Sequence, residues 1–81
     1  MPLSAFILVK TTPGKDRDIY NKLKEFDEVI EAVPVFGVYD IIIRVHVKED
    51  SDLDTFVFNK LRRMDGITET MTLIIAHYDE E

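Results

Sequence analysis

Between Tyr39 and Lys48 the chain reads YDIIIRVHVK, with Tyr39, Ile41, Ile43, Val45 and Val47 alternating against Asp40, Ile42, Arg44, His46 and Lys48. A period of two is what a strand with one dry face requires, because successive side chains leave a pleated backbone on opposite sides. The odd-numbered side is therefore the core side. The other side sets Ile42 among an acid, a guanidinium and an imidazole, a mixture that suits a surface covered by another subunit better than a dry interior. A second extended run, Val29 to Phe36, precedes it, and the two are joined through Phe36-Gly37-Val38-Tyr39-Asp40. Gly37 has no Cβ to oppose a positive φ, so the chain can reverse there and leave backbone N–H groups free of ladder partners. A hairpin follows, with Pro34 confining its first strand to a sheet edge or a bulge, since proline cannot donate to a ladder.

The flanks of this hairpin each supply one helix and one strand. Ala5 to Lys10 is apolar on both alternating sets, as expected of a central strand covered on both sides. Thr11-Thr12-Pro13-Gly14 is a turn, and a helix should run from about Lys15 to near Asp27, with Ile19, Leu23, Phe26 and Ile30 at helical spacing. Glu25, Asp27 and Glu28 put negative charge at the negative end of its dipole, which weakens its last turn. Ser51 reads as the N-cap of a second helix, with Asp52 and Asp54 favourably placed in the first turn. Leu53, Phe56, Val57, Leu61 and Met64 form its apolar stripe, Arg62 and Arg63 suit its C-terminal end, and Gly66 stops it. Phe58 falls off the stripe, as a flank of the core or a contact between subunits. Thr68 to Tyr78 is the last strand, with Met71, Leu73, Ile75 and His77 on one side and Thr70, Thr72, Ile74, Ala76 and Tyr78 on the other, followed by a solvated tail, Asp79-Glu80-Glu81.

The order is thus βαββαβ. Right-handed crossovers turn it into an α+β, ferredoxin-like fold: a four-stranded antiparallel sheet in the order 4-1-3-2 with two helices on one face. The second strand is then an edge, in agreement with Pro34. The helices leave the other face bare, so Phe6, Leu8, Ile42 and Ile74, with Arg44 among them, are expected to form a dimer interface. Burying each large apolar side chain contributes about 1.5–3 kcal/mol, a substantial drive towards a second copy.

At 81 residues the chain, 1-81, reads as a single domain, and with no cysteine it has no disulfide to supplement a small core. Its short apolar N-terminal run has neither a basic leader nor the length of a membrane span, so a cytoplasmic location without membrane contact is expected. A net charge of −6 with scattered Lys and Arg opposes any phosphate backbone, so direct nucleic-acid binding is not expected. Charged residues make up 32% of the chain, Gln is absent and Asn occurs only at Asn21 and Asn59, a composition that leans towards a thermophile.

Pro13-Gly14 before the first helix, Val35-Phe36-Gly37-Val38-Tyr39-Asp40-Ile41 at the hairpin, Gly66-Ile67 after the second helix and Thr70-Met71-Thr72-Leu73-Ile74 in the last strand resemble the effector-binding (RAM) domain of the Lrp/AsnC family of transcription regulators. The resemblance spans nearly the whole chain. It implies a homo-oligomer: a dimer built through the sheets and a ring of dimers beyond it, with an amino acid or similar small effector bound between subunits near the Gly37 turn. The family's regulators carry an N-terminal helix-turn-helix. Here the first strand begins almost at Met1, so a stand-alone effector domain without a DNA-binding domain is expected, acting on transcription through mixed assemblies with full-length Lrp/AsnC regulators. Phe36 stands where such domains often have a small polar residue.

The ligand-binding residues expected on this basis are Gly37, Val38, Tyr39, Asp40, Thr70 and Thr72. Asp40 could accept an effector's ammonium while N–H groups around Gly37 receive its carboxylate. It could equally cap the turn or pair with Arg44. Tyr39 could wall a pocket or, from its odd number, join the core. Thr70 and Thr72 could offer hydroxyls from a facing subunit or be ordinary strand threonines. No catalytic residue, metal or cofactor is expected: His46 and His77 lie on different strands without ligand spacing, and no phosphate loop, nucleophile elbow or zinc motif occurs. The competing function is a small dimeric ferredoxin-like enzyme using the open sheet face with His46 or His77 as base. A deep apolar cavity within each subunit would favour it, whereas a shallow polar cleft between subunits favours an effector-binding module. Assembly without any ligand is a third reading.

Overall fold

The computed structural model describes residues 2–76. In order it contains β1 (Leu3–Thr11), α1 (Asp16–Leu23), β2 (Val29–Pro34), β3 (Ile41–Val47), α2 (Asp50–Thr55), a π-helical turn over Phe56–Leu61 that continues α2, and β4 (Ile67–Ile74). The strands form one sheet in the order β2-β3-β1-β4, antiparallel at every pairing. This is the ferredoxin-like arrangement. Ala5, Ile7 and Val9 of β1 and Ile41, Ile43, Val45 and Val47 of β3 pack beneath Ile19 and Leu23 of α1 and Leu53, Phe56 and Leu61 of the second helical segment. One face of the sheet is thereby dry. β1 is central in the ladder but covered on one side only, since Phe6 is 40% exposed on the other.

α1 ends at Leu23, well short of Asp27. The chain then tightens, with the N–H of Glu25 donating to Lys22 O, Phe26 to Leu23 O and Val29 to Phe26 O. A longer helix would have stacked Glu25, Asp27 and Glu28 on its negative pole. Phe26 still reaches the core, edge-on to the Phe56 ring at a centroid distance of 5.6 Å. Ile30 does not continue a helical stripe; it lies in β2, exposed. β2 stops at Pro34, which pairs with Ile41 at the head of β3, so Val35 and Phe36 belong to the hairpin connection. The Val35 N–H donates to Asp40 O at 2.8 Å, and Gly37 takes φ 128°, the positive value that its missing Cβ permits.

The second helix also starts elsewhere than expected. Its N-cap is Glu49, and Ser51 lies inside the helix. Asp52 turns back to accept the Glu49 N–H at 3.1 Å, the return half of a capping box, and this fixes the N-cap two residues before Ser51. Over Phe56–Leu61 the spacing widens, with the Arg62 N–H donating to Val57 O at 2.9 Å. Phe56, Val57 and Leu61 point inward. Phe58 stays 55% exposed beneath the Arg62 guanidinium, 5.2 Å from the ring centroid, so it is no flank of the core. Lys60 reaches Glu28 at 2.6 Å. Burial works against the Glu28 carboxylate, yet its bonds to Lys60 and to backbone outweigh this and hold it below the usual carboxyl range.

Register decides which residues share the uncovered face. Val33, Ile42, Leu8 and Met71 lie side by side across the four strands, and Glu31, Arg44, Phe6 and Leu73 form the next row. Ile74 is not among them. It pairs with Ala5, whose side chain is buried, so it faces the helix side, where it stands beyond the cover and is 60% exposed. The place expected of it on the open face belongs to Met71 and Leu73, because antiparallel partners point to the same side of a sheet. Val33 joins from β2. The last-strand residues His77 and Tyr78, and the tail Asp79-Glu80-Glu81, lie outside the described residues.

Candidate functional site

Of the expected site residues, Thr70 and Thr72 lie on β4 beyond β1, and Gly37, Val38, Tyr39 and Asp40 lie at the end of the sheet where the hairpin connection enters β3. Asp40 is held there by the backbone: its N–H donates to Val9 O at 2.9 Å and its carbonyl accepts from Val35. Its side chain is held as well. Oδ2 accepts the Thr11 N–H at 2.7 Å and the Thr11 hydroxyl at 3.1 Å. A β-bulge shifts the β1–β4 register between Lys10 and Thr11, and the carboxylate serves the displaced N–H in place of a strand carbonyl. Asp40 is thus a turn anchor, through Thr11 rather than Arg44.

This anchor carries a cost that is not visible in the linear sequence. Replacing Asp40 by Ala leaves the Thr11 N–H without an acceptor, and Thr11 is only 7% exposed. A stability loss of roughly 1–3 kcal/mol is expected, read as a lower urea midpoint at unchanged slope. An unshifted midpoint would remove Asp40 from this structural role.

Tyr39 does not enter the core. Its hydroxyl donates to Glu69 Oε2 at 2.9 Å, across the end of β1, and that bond keeps the phenol protonated above its ordinary range. Gly37 and Val38 project further, Val38 being 71% exposed and Phe36 fully so. Thr70 pairs with Val9 and Thr72 with Ile7, whose side chains are buried, so both threonines lie on the helix side of the sheet. They cannot be offered across the open face, and a neighbour could meet them only along the β4 edge. Beside Thr70 is a cleft of about 350 Å³ lined by Arg62, Ile67, Thr68 and Glu69. The Tyr39–Glu69 bond ties the hairpin connection to one of the cleft's lining residues.

Sequence reasoning missed Thr11 and Glu69. Neither belongs to a motif, but Thr68-Glu69-Thr70 does fall at the strand end that a ferredoxin-like order brings beside the hairpin. Arg62, expected to complement a helix end in preference to forming an anion site, also lines the cleft. His46 presents Nδ1 to Ser4 Oγ at 2.9 Å on the exposed face. Among the described residues no group of three or more His, Cys, Asp or Glu side chains stands together to hold a metal ion, and no helix is long and apolar enough to cross a membrane.

A family model described as the Lrp/AsnC ligand binding domain matches residues 4–77. Over 72 residues the chain is 37% identical to the HTH-type transcriptional regulator PH0140 of Pyrococcus horikoshii, covering 89% of this chain and 46% of that protein. It is 29% identical over 77 residues to the HTH-type transcriptional regulator FL11 of Pyrococcus furiosus, covering 95% of this chain and 50% of the relative. The chain therefore spans about half the length of these curated relatives. The crystal structure of FFRP-DM1 superposes with a TM-score of 0.89 at 42% identity, covering 91% of this chain and 99% of that one. The Pyrococcus relatives agree with the thermophilic lean of the composition.

Proposed function

The chain belongs to the Lrp/AsnC ligand-binding domain family, and from that premise we propose that it is a non-catalytic effector-binding and oligomerisation module that modulates Lrp/AsnC-type transcription regulators. The observation that carries this reading is the Tyr39–Glu69 bond, which ties the hairpin connection to a residue that lines the open cleft beside Thr70. The effector is an amino acid or similar small zwitterion bound between copies at Gly37, Val38, Tyr39 and Asp40, with Thr70 and Thr72 contributing along the β4 edge. Only one oxygen of Asp40 is committed to Thr11, and the other is available to an ammonium. Two copies meet through the open sheet face, at Phe6, Leu8, Ile42 and Arg44 with Val33, Met71 and Leu73 beside them. Rings of dimers and mixed assemblies with full-length regulators extend the same contacts, in the cytoplasm and without a cofactor. The −6 charge keeps the chain itself off DNA. Catalysis on the sheet face is disfavoured because His46 is engaged by Ser4 and borders an open, mostly charged cleft with Asp27, Glu28, Lys48, Asp52 and Lys60 rather than a deep apolar cavity.

Calorimetric titration with each of the twenty amino acids at millimolar concentration tests this. At least one should bind the wild type, should shift the assembly state by linkage, and should bind more weakly after Thr72→Val. Absence of binding by all of them would leave assembly alone as the function.

A further inference from the structure

A separate cleft of about 260 Å³ runs between α1 and the foot of the hairpin, with Arg17, Tyr20 and Asn21 on one wall and Pro34, Asp40 and Ile41 on the other. We propose that this cleft is a second ligand site, complete within one protomer, for a small α-amino acid whose carboxylate meets Arg17 and whose ammonium meets Asp40. It has Asp40 in common with the site between copies, but its remaining groups come from α1 and the β2–β3 pair.

Arg17 and Asn21 are four residues apart on α1, as neighbours on one helical face, so a rigid element presents a guanidinium and an amide together. Among the described residues Arg17 has no ion-pair partner. Opposite it, Asp40 is oriented in advance: Oδ2 is fixed by two bonds from Thr11, and among the described residues the other oxygen has no donor. A fixed anion facing an unpaired cation across a small space is the pattern that a zwitterion matches and a singly charged molecule does not. Pro34 and Ile41, paired in register, make the floor apolar, and proline brings no N–H to be satisfied there. Asp16 also borders the cleft, but in the first turn of α1 it already answers the positive helix end. The volume lies just below the usual range for drug-sized ligands, so a short uncharged side chain fits and a long one does not.

The experiment is a titration of L-alanine, L-serine and L-valine, with acetate and methylammonium as single-charge probes. It uses the full chain as wild type, Arg17→Gln and Thr72→Val, at high protein concentration and after dilution below assembly. Binding of at least one amino acid should survive dilution, and this surviving component should weaken about tenfold or more in Arg17→Gln through loss of a charge-assisted bond and stay unchanged in Thr72→Val. Arg17 is exposed, so its replacement does not threaten the fold. The proposal is overturned if Arg17→Gln binds like the wild type, if binding disappears with assembly, if acetate binds as tightly as the amino acids, or if nothing binds. Binding sensitive to Thr72→Val but not to Arg17→Gln sinks this site and upholds the one between copies. Binding in the diluted protein that falls in Arg17→Gln and not in Thr72→Val upholds this site, and a further component that appears only on assembly and is sensitive to Thr72→Val belongs to the site between copies.

Discussion

Replacing Leu8 by Asp is expected to convert the protein from a dimer, or a multiple of one, into a monomer that remains folded. Leu8 lies in the middle of the open face, between Ile42 and Met71 in the same cross-sheet row. Around it Phe6 and Val33 are each 40% exposed, Met71 45% and Leu73 48%, which is more large apolar surface in one patch than isolated exposed residues would leave. In a lone protomer the new carboxylate points to water and costs little. In a face-to-face dimer it is desolvated without a partner, at about 3 kcal/mol or more per copy. A twofold contact counts that penalty twice, and roughly 6 kcal/mol weakens association by about four orders of magnitude. Light scattering at micromolar concentration reads the mass directly, and circular dichroism confirms that the fold persists. An unchanged mass would move the interface to another surface, and a monomeric wild type would sink the face assignment altogether.

Phe56→Ala is expected to cost about 3–5 kcal/mol of stability, the range for removing a large ring from a core that cannot collapse around the gap. Phe56 is fully buried at the start of the π-helical turn, and its ring meets Phe26 nearly at right angles. Of a total stability of roughly 5–15 kcal/mol, this is a large share. The same change at Phe58, two residues on and more than half exposed, should cost about 1 kcal/mol or less, from its lost contact with Arg62. Urea unfolding of both variants at one fixed protein concentration makes the comparison, since assembly would otherwise enter the apparent stability. Comparable losses at the two positions would mean that the inward and outward faces of this helix are wrongly assigned.

What could be read in the linear sequence was what depends on near neighbours. The alternation of Ile41, Ile43, Val45 and Val47 with Ile42, Arg44 and His46 reports a strand and its two sides, because the period of two is imposed by the backbone itself. Pro34 marked an edge strand, since a missing donor is a property of one residue. Gly37 marked the reversal for the same kind of reason. From these and the element order the ferredoxin-like fold followed, together with the bare face that holds Phe6, Leu8 and Ile42.

What only the tertiary structure decided was relative placement. Ile74 moved to the helix side because the β1–β4 register pairs it with Ala5, and a shift of one residue reverses every side chain of a strand. Asp40 became an anchor because a bulge at the end of β1 sets the Thr11 N–H 2.7 Å from its carboxylate, where two strand ends meet. Tyr39 left the core because Glu69, thirty residues on, offered its hydroxyl an acceptor. The N-cap of the second helix moved to Glu49 because Asp52 closed a capping box, and its later turn widened where packing of Phe56, Val57 and Leu61 outweighed regular spacing. Periodicity and single-residue stereochemistry are local and survive in the sequence; register, capping partners and the company a carboxylate keeps are settled only when distant segments compete for the same donors and the same buried space.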